Sequence, residues 1–210
     1  IGDAIMAFWG APIKVEDHAD RATMAALEML RRLDGVNEWL GERDYPPIKI
    51  GIGVHTGDMI LGNIGSENKL DYTVIGDNVN LGSRLEGLTK NYGAEILISE
   101  ATYHALTQPI PCRPVDLVRV KGKHLPIRIY QPLGDPALLD EAGMAECRRI
   151  AAVTEQAFQA YLNRDWRTTV EHLASLPEDR VRELLEERCR HYLDEEPPPD
   201  WDGVHTMTTK

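Results

Sequence analysis

Asn80 and Arg84 stand four residues apart in "VIGDNVNLGSRLEG", just past a strand-like run that ends at Gly76-Asp77. On a helix that spacing puts an amide and a guanidinium on one face, a turn apart. Arginine stays charged at any working pH, and its planar fork needs none of the pKa tuning that a lysine would. The bland alternative is a surface arginine paired with Glu86 or Asp77, a common and weak arrangement. Three further residues sit where chemistry is possible. Asp3 follows Gly2, a pairing that also makes a tight turn. Thr73 lies in the strand-like run, where threonine is favoured for its shape. Lys121 stands beside Gly122 in "VKGK", at a strand end where solvated turn chemistry would serve as well.

Other candidates carry less. His18, His55 and His124 have no carboxylate or cysteine partner at ligand spacing and read as structural or surface histidines. Gly51, Gly53, Gly57, Gly62 and Gly65 form no GxxxxGK[ST] loop and read as strand and turn glycines. Cys112, Cys147 and Cys189 are far apart and form no CxxC pair, which fits a reducing compartment and no structural zinc.

Stepping outward, the pattern predicts the elements that must hold these residues. Gly2-Asp3 is a turn, followed by an apolar strand from Ala4 to Trp9 that Pro12 stops. Residues 17–43 read as one helix, with Asp17 as its cap and Ala26, Leu30, Leu33 and Leu40 at helical spacing. "IKIGIGVHTG" alternates as a strand with Ile48, Ile50, Ile52 and Val54 on one face. "MILGNIG" and "KLDYTVI" are two more strands. A helix over 78–91 ends near Gly93. "EILIS" is a strand, Glu100 to Leu106 a short helix, and "VDLVRVKGKHLPIRIYQ" a hairpin turning at Gly122-Lys123.

After Pro132 the character changes. Residues 134–144 read as a linker. Residues 145–163 and 167–193 read as helices with breaks at Asp165 and Pro177. Their apolar stripes predict an antiparallel helix pair, similar to one tetratricopeptide-type unit without a second copy. "EEPPPDWDGVHTMTTK" is an extended, proline-rich end.

The 210 residues carry a formal net charge of −11. Residues 1–133 hold 14 basic and 17 acidic groups, and 134–210 hold 9 and 17, so most of the acidity lies in the tail. An acidic chain without a basic stripe argues against nucleic acid and anionic membrane surfaces as partners. The longest apolar stretch is too short to span a bilayer, and no signal peptide is visible. A cytoplasmic location is expected. The chain begins with Ile1 inside a strand-like pattern and is read as a piece of a longer protein.

"IGDAIMAFWGAP", "IGIGVHTGDMILGNIGS", "DYTVIGDNVNLGSRLEGLTKNYG", "ILIS" and "VRVKGK", in this order and spacing, resemble the class III nucleotidyl cyclases, the adenylate and guanylate cyclase family. The resemblance covers about residues 1–131, and the tail around "DWDGV" resembles a helical extension of bacterial adenylate cyclases. It implies an α+β fold: a ferredoxin-like βαββαβ palm in residues 1–133, here lacking its first strand and helices, followed by an α-helical hairpin. It implies conversion of ATP to cyclic AMP and pyrophosphate, a lyase reaction in signal transduction, with Mg2+ or Mn2+ as cofactor at two metal positions. Asp3 then matches a metal-binding aspartate, Asn80 and Arg84 a transition-state pair, and Lys121 a lysine for the triphosphate tail, with Lys123 as its neighbouring candidate.

Thr73 departs from the aspartate that many members use to read the adenine amino group. A threonine there is familiar in a bacterial branch that makes cyclic AMP, and guanylate cyclases usually place a cysteine there. Its hydroxyl can accept from an amine, so Thr73 favours ATP.

Family sites form at a head-to-tail dimer interface, so the resemblance also implies a homodimer. Metals are held by one protomer, while Asn80 and Arg84 reach in from the other. It implies an upstream segment with a first metal aspartate and a base-reading lysine, and an upstream sensor domain that leaves membrane attachment of the parent open. The isolated chain is therefore expected to have no cyclase activity and to aggregate or borrow a strand. Alternatives are a guanylate cyclase, a non-catalytic cyclase-like regulatory or interaction module, and a tail that binds protein. A diguanylate cyclase would show a GG-D/E-E-F signature, which is absent.

Overall fold

A computed structural model describes residues 3–66, 69–119 and 125–206. Lys121, Lys123 and His124 lie outside the described residues, as does the turn at Gly122. The fold is α+β. β1 (Ile52–Val54), β4 (Ile96–Ser99), β6 (Ile127–Pro132), β5 (Cys112–Arg119) and β7 (His205–Thr206) form one sheet in that order. β1 runs parallel to β4, with Gly53 opposite Leu97. β6 is antiparallel to both β4 and β5, and β7 runs parallel to β5. β2 (Ile60–Ser66) and β3 (Lys69–Ile75) pair separately as an antiparallel hairpin.

The strand period of two sorts β4 between two cores. Ile96 and Ile98 pack with Ala26, Met24 and Leu27 of α1 (His18–Gly41) and with Tyr103 of α3 (Glu100–Ala105). Leu97 packs the other way, with Leu81, Leu85 and Leu88 of α2 (Asp77–Tyr92). Ile96, Leu97 and Ile98 are each at most 2% exposed. Full burial of such a side chain stabilises by roughly 1.5–3 kcal/mol, so this inner strand ties the helical layers together.

α1 buries its N-terminal half through small residues, Ala19, Ala22, Thr23 and Ala26, the last of them against β4. Asp17 occupies the N-cap position, but its side chain does not cap the helix. It accepts from Arg21 Nε at 2.9 Å instead, which corrects the expected cap. Asp20, in the first turn, is buried and accepts from the Thr107 hydroxyl at 2.6 Å and from the Thr107 and Gln108 amides at 3.0 and 2.9 Å.

Two expected strands fall short. Residues 4–9 form no strand, and Ile5 is 82% exposed. β1 is the outermost strand, and among the described residues nothing pairs with its outer edge. An apolar run cannot build a ladder without a partner for its backbone groups. The strand expected from Ile48 begins only at Ile52. The Asn37 side chain takes both backbone groups of Ile48, accepting from its amide at 2.7 Å and donating to its carbonyl at 3.0 Å.

The C-terminal region holds α4 (Glu141–Leu162), α5 (Trp166–Leu173) and α6 (Arg180–Asp194). Each begins behind an aspartate whose carboxylate accepts a backbone amide: Asp140 from Gly143 at 2.7 Å, Asp165 from Thr168 at 3.2 Å, Asp179 from Arg182 at 2.9 Å. The stretch over 167–193 is two helices, split around Pro177, where the sequence pattern places a break. Phe158, Tyr161, Leu173 and Leu185 form a core that takes in Leu117 of β5. The proline-rich end does not stay apart. Trp201 sits edge-on to Trp166 and Tyr161, 5.3 and 5.2 Å between ring centroids, and β7 follows it into the sheet. No helix among the described residues is long and apolar enough to cross a membrane.

Candidate active site

Three of the residues singled out for chemistry, Thr73, Asn80 and Arg84, sit on one continuous unit, β3–Gly76–α2. Thr73 lies in β3 opposite Gly62 and is half-buried. Gly76, at φ 147, turns the chain directly from strand into helix, a conformation open to glycine and strained for other residues. Asn80 and Arg84 follow one helical turn apart, Asn80 exposed and Arg84 half-buried. They flank the buried stripe of Leu81, Leu85, Leu88 and Tyr92, which is what fixes the direction they face. Among the described residues no ion pair engages Arg84, so the surface pairing with Glu86 or Asp77 is not formed. Gly93 closes the helix in the left-handed region, as the pattern predicts.

The helix lies unusually close to β1. A Cβ on Gly53 would run into the backbone of Gly82 and Glu86, and one on Gly51 into the Thr89 side chain. These glycines make the approach possible, which gives them a packing reason beyond turn formation.

The start of α2 is pinned by a polar chain that the sequence reading did not single out. Asn78 donates to the Asp58 carbonyl at 2.8 Å. Its Oδ1 lies 3.1 Å from His55 Nε2, and His55 Nδ1 lies 2.7 Å from Ser99 Oγ. Ser99 in turn caps α3, accepting from the Thr102 amide at 3.2 Å. His55 thus has the structural role expected of it. Its partners are 23 and 44 residues away in sequence, so no local spacing announces them.

Asp3 sits in an exposed turn, and among the described residues no hydrogen bond or ion pair joins it to α2. Its carboxylate is the right donor type for a hard divalent cation. Nevertheless, among the described residues no three histidine, cysteine or acidic side chains converge on a point. The described residues therefore do not make up a metal centre by themselves. Lys121 lies outside them.

The family model for the adenylate and guanylate cyclase catalytic domain matches residues 1–132, and the chain belongs to this family. It is 35% identical over 133 residues to Adenylate cyclase 1 of Rhizobium meliloti (strain 1021), a match that covers 63% of this chain and 20% of the relative. It is 42% identical over 138 residues to the Adenylate cyclase of Anabaena cylindrica, covering 62% of this chain and 26% of the relative. The chain thus spans about a quarter or less of the length of these relatives. Among solved structures it resembles the adenylyl cyclase CyaB from P. aeruginosa (TM-score 0.56, 31% identity, 63% of this chain and 68% of that one). It also resembles the guanylyl cyclase Cya2 (TM-score 0.54, 34% identity, 62% of this chain and 66% of that one).

Proposed function

We propose that the chain supplies part of the active site of an adenylate cyclase, which forms cyclic AMP from ATP. The single observation that carries this reading is the β3–Gly76–α2 unit. It presents Thr73, Asn80 and Arg84 together, in a chain whose cyclase family is established. In the reaction the ribose 3′-hydroxyl attacks the α-phosphorus, the bond to the β,γ-phosphates breaks, and pyrophosphate leaves with the electron pair. Negative charge spreads over the phosphoryl oxygens as this happens. Arg84, standing without an internal carboxylate partner among the described residues, supplies a fixed positive fork where that charge grows. Asn80, one turn earlier on the same face, orients the ribose. The Thr73 hydroxyl accepts from the adenine amino group, and Lys121 is proposed for the triphosphate tail.

A divalent metal, when bound, would neutralise phosphate charge and sharpen the electrophile. Asp3 is the proposed protein ligand in this chain. One exposed carboxylate does not hold such an ion alone, and substrate phosphates are natural further ligands for it. The site is proposed as one shared between two protomers, with Asp3 from one and Asn80 and Arg84 from the other.

The experiment is a turnover assay of the full-length protein with ATP and with GTP, alongside Arg84→Ala. Cyclic AMP production that falls about 100-fold or more in Arg84→Ala supports the reading. Turnover confined to GTP would convert it to a guanylate cyclase. A full-length protein inert on both nucleotides would leave only a regulatory module.

A further inference from the structure

Asp116 is fully buried, 0% exposed, at a bulge in β5 where the pairing with β6 slips between Pro114 and Asp116. Three groups converge on its carboxylate. The Leu117 amide donates to Oδ1 at 2.8 Å, the Tyr92 hydroxyl donates to Oδ2 at 2.5 Å, and Arg188 Nη2 lies 2.8 Å from Oδ2. Tyr92 is the last residue of α2 and 2% exposed; Arg188 belongs to α6 and keeps only 17% of its side chain in contact with solvent. Burial pushes the Tyr92 hydroxyl far up, with the Asp116 charge adding to it, so the phenol stays a donor.

α6 grips the same end of α2 in two more ways. Val181 enters the core of Leu85, Leu88 and Tyr92, and the Arg180 side chain packs over Gly93, where α2 stops. By contrast α2 rests on β1 around Gly82 and Glu86, beside the turns that carry Asn80 and Arg84. Eight residues of helix, about 12 Å at 1.5 Å per residue, separate Arg84 from Tyr92. A helix of this length moves as a rigid rod, so what sets one end sets the other.

We propose that Arg188 is a positioning residue for cyclisation: through Asp116 and Tyr92, α6 of the C-terminal region sets the tilt of α2 and with it the place of Arg84. The proposal rests on the reading of Asn80 and Arg84 given above. It assigns the helical tail a part in catalysis without contact to substrate. The tail's apolar stripe supports this, since it is spent on the sheet and on itself: Phe158, Tyr161, Leu173 and Leu185 are all within 5% exposure. Removing Arg188 leaves the Asp116 charge buried without its cation, and a buried unpaired charge forces its surroundings to rearrange. The element most directly attached is α2.

The test compares wild type, Arg188→Met, Tyr92→Phe and Arg84→Ala in the full-length protein. Four quantities are measured: kcat, KM for ATP, the Kd of a non-cyclisable ATP analogue, and the folded fraction at the assay temperature. The proposal expects Arg188→Met to lower kcat per folded molecule about 10-fold or more, as a misplacement on the ångström scale does. KM and analogue binding should stay within about two-fold. Tyr92→Phe, which removes one hydroxyl and keeps the ion pair, should lower kcat about three-fold, and it decides the matter if Arg188→Met does not fold. Unchanged kcat per folded molecule, or a loss confined to the folded fraction, overturns the proposal. If instead Arg84→Ala keeps wild-type kcat, the reading of Arg84 itself has failed.

Discussion

The backbone of Gly53 in β1 lies against that of Gly82 in α2, with no space for a Cβ between them. Strand and helix therefore meet too closely for any side chain at this position, and the helix carrying Asn80 and Arg84 is seated on a glycine. Gly53→Ala is expected to push α2 off the sheet. The cost is about 1–3 kcal/mol, in the range of overpacked cores, and chemical denaturation measures it. Gly62→Ala is the control, because open space surrounds that glycine and little change is expected.

Asp20 offers a pH-dependent stability. Burial alone would raise its pKa, but the Thr107 hydroxyl and the Gln108 and Thr107 amides, with His18 nearby, outweigh it and hold the carboxyl below its ordinary value. A carboxyl depressed in the folded state contributes stability above its unfolded pKa of about 3.9, and loses it as pH falls through the folded value. Asp20→Asn should therefore destabilise by about 1–3 kcal/mol at pH 7, where a charged acceptor is replaced by an amide. The gap between variant and wild type should narrow as the pH drops below 4. Urea midpoints at pH 7 and pH 3 measure it, and an equal gap at both would remove Asp20 from this role.

The proposed division of the site between protomers has a direct consequence. Asp3→Ala and Arg84→Ala, each inactive alone in the full-length protein, should recover part of the cyclase activity when mixed, because one of the two hybrid sites is then intact. A mixture as silent as its components would show that both residues act within one chain.

Thr73 is expected to contribute to base choice. Thr73→Val keeps the shape and removes the acceptor. If the hydroxyl reads the adenine amino group, the ratio of kcat/KM for ATP over GTP should fall about ten-fold, the loss of roughly one hydrogen bond. An unchanged ratio would leave Thr73 as a strand residue only.

Much of this was legible in local pattern. The helix of Asn80 and Arg84 shows in the sequence as a run over 78–91 that ends near Gly93. β4 shows as a short apolar run, and Asp165 and Pro177 mark the breaks between the C-terminal helices, whereas α4 starts at Glu141, inside the stretch read as a linker. The strand expected over residues 4–9 failed for the opposite reason: its side chains suit a strand, but strand formation depends on a neighbour that no local pattern supplies. Asp17 misled in a smaller way, since a cap position says nothing about the arginine one turn later that competes for the carboxylate.

Sequence alone determined which residues share a helix face, where the chain turns, and which family the motifs belong to, because each depends on residues a few places apart. Only the tertiary structure decided that Asp20 closes the loop at Thr107, that Asn78 leans on His55 and Ser99, and that the acidic tail returns to the sheet to bury Arg188 against Asp116 and Tyr92. Those contacts join residues tens of positions apart, and burial, which makes a paired charge worth holding and an unpaired one costly, exists only once the chain has closed around them.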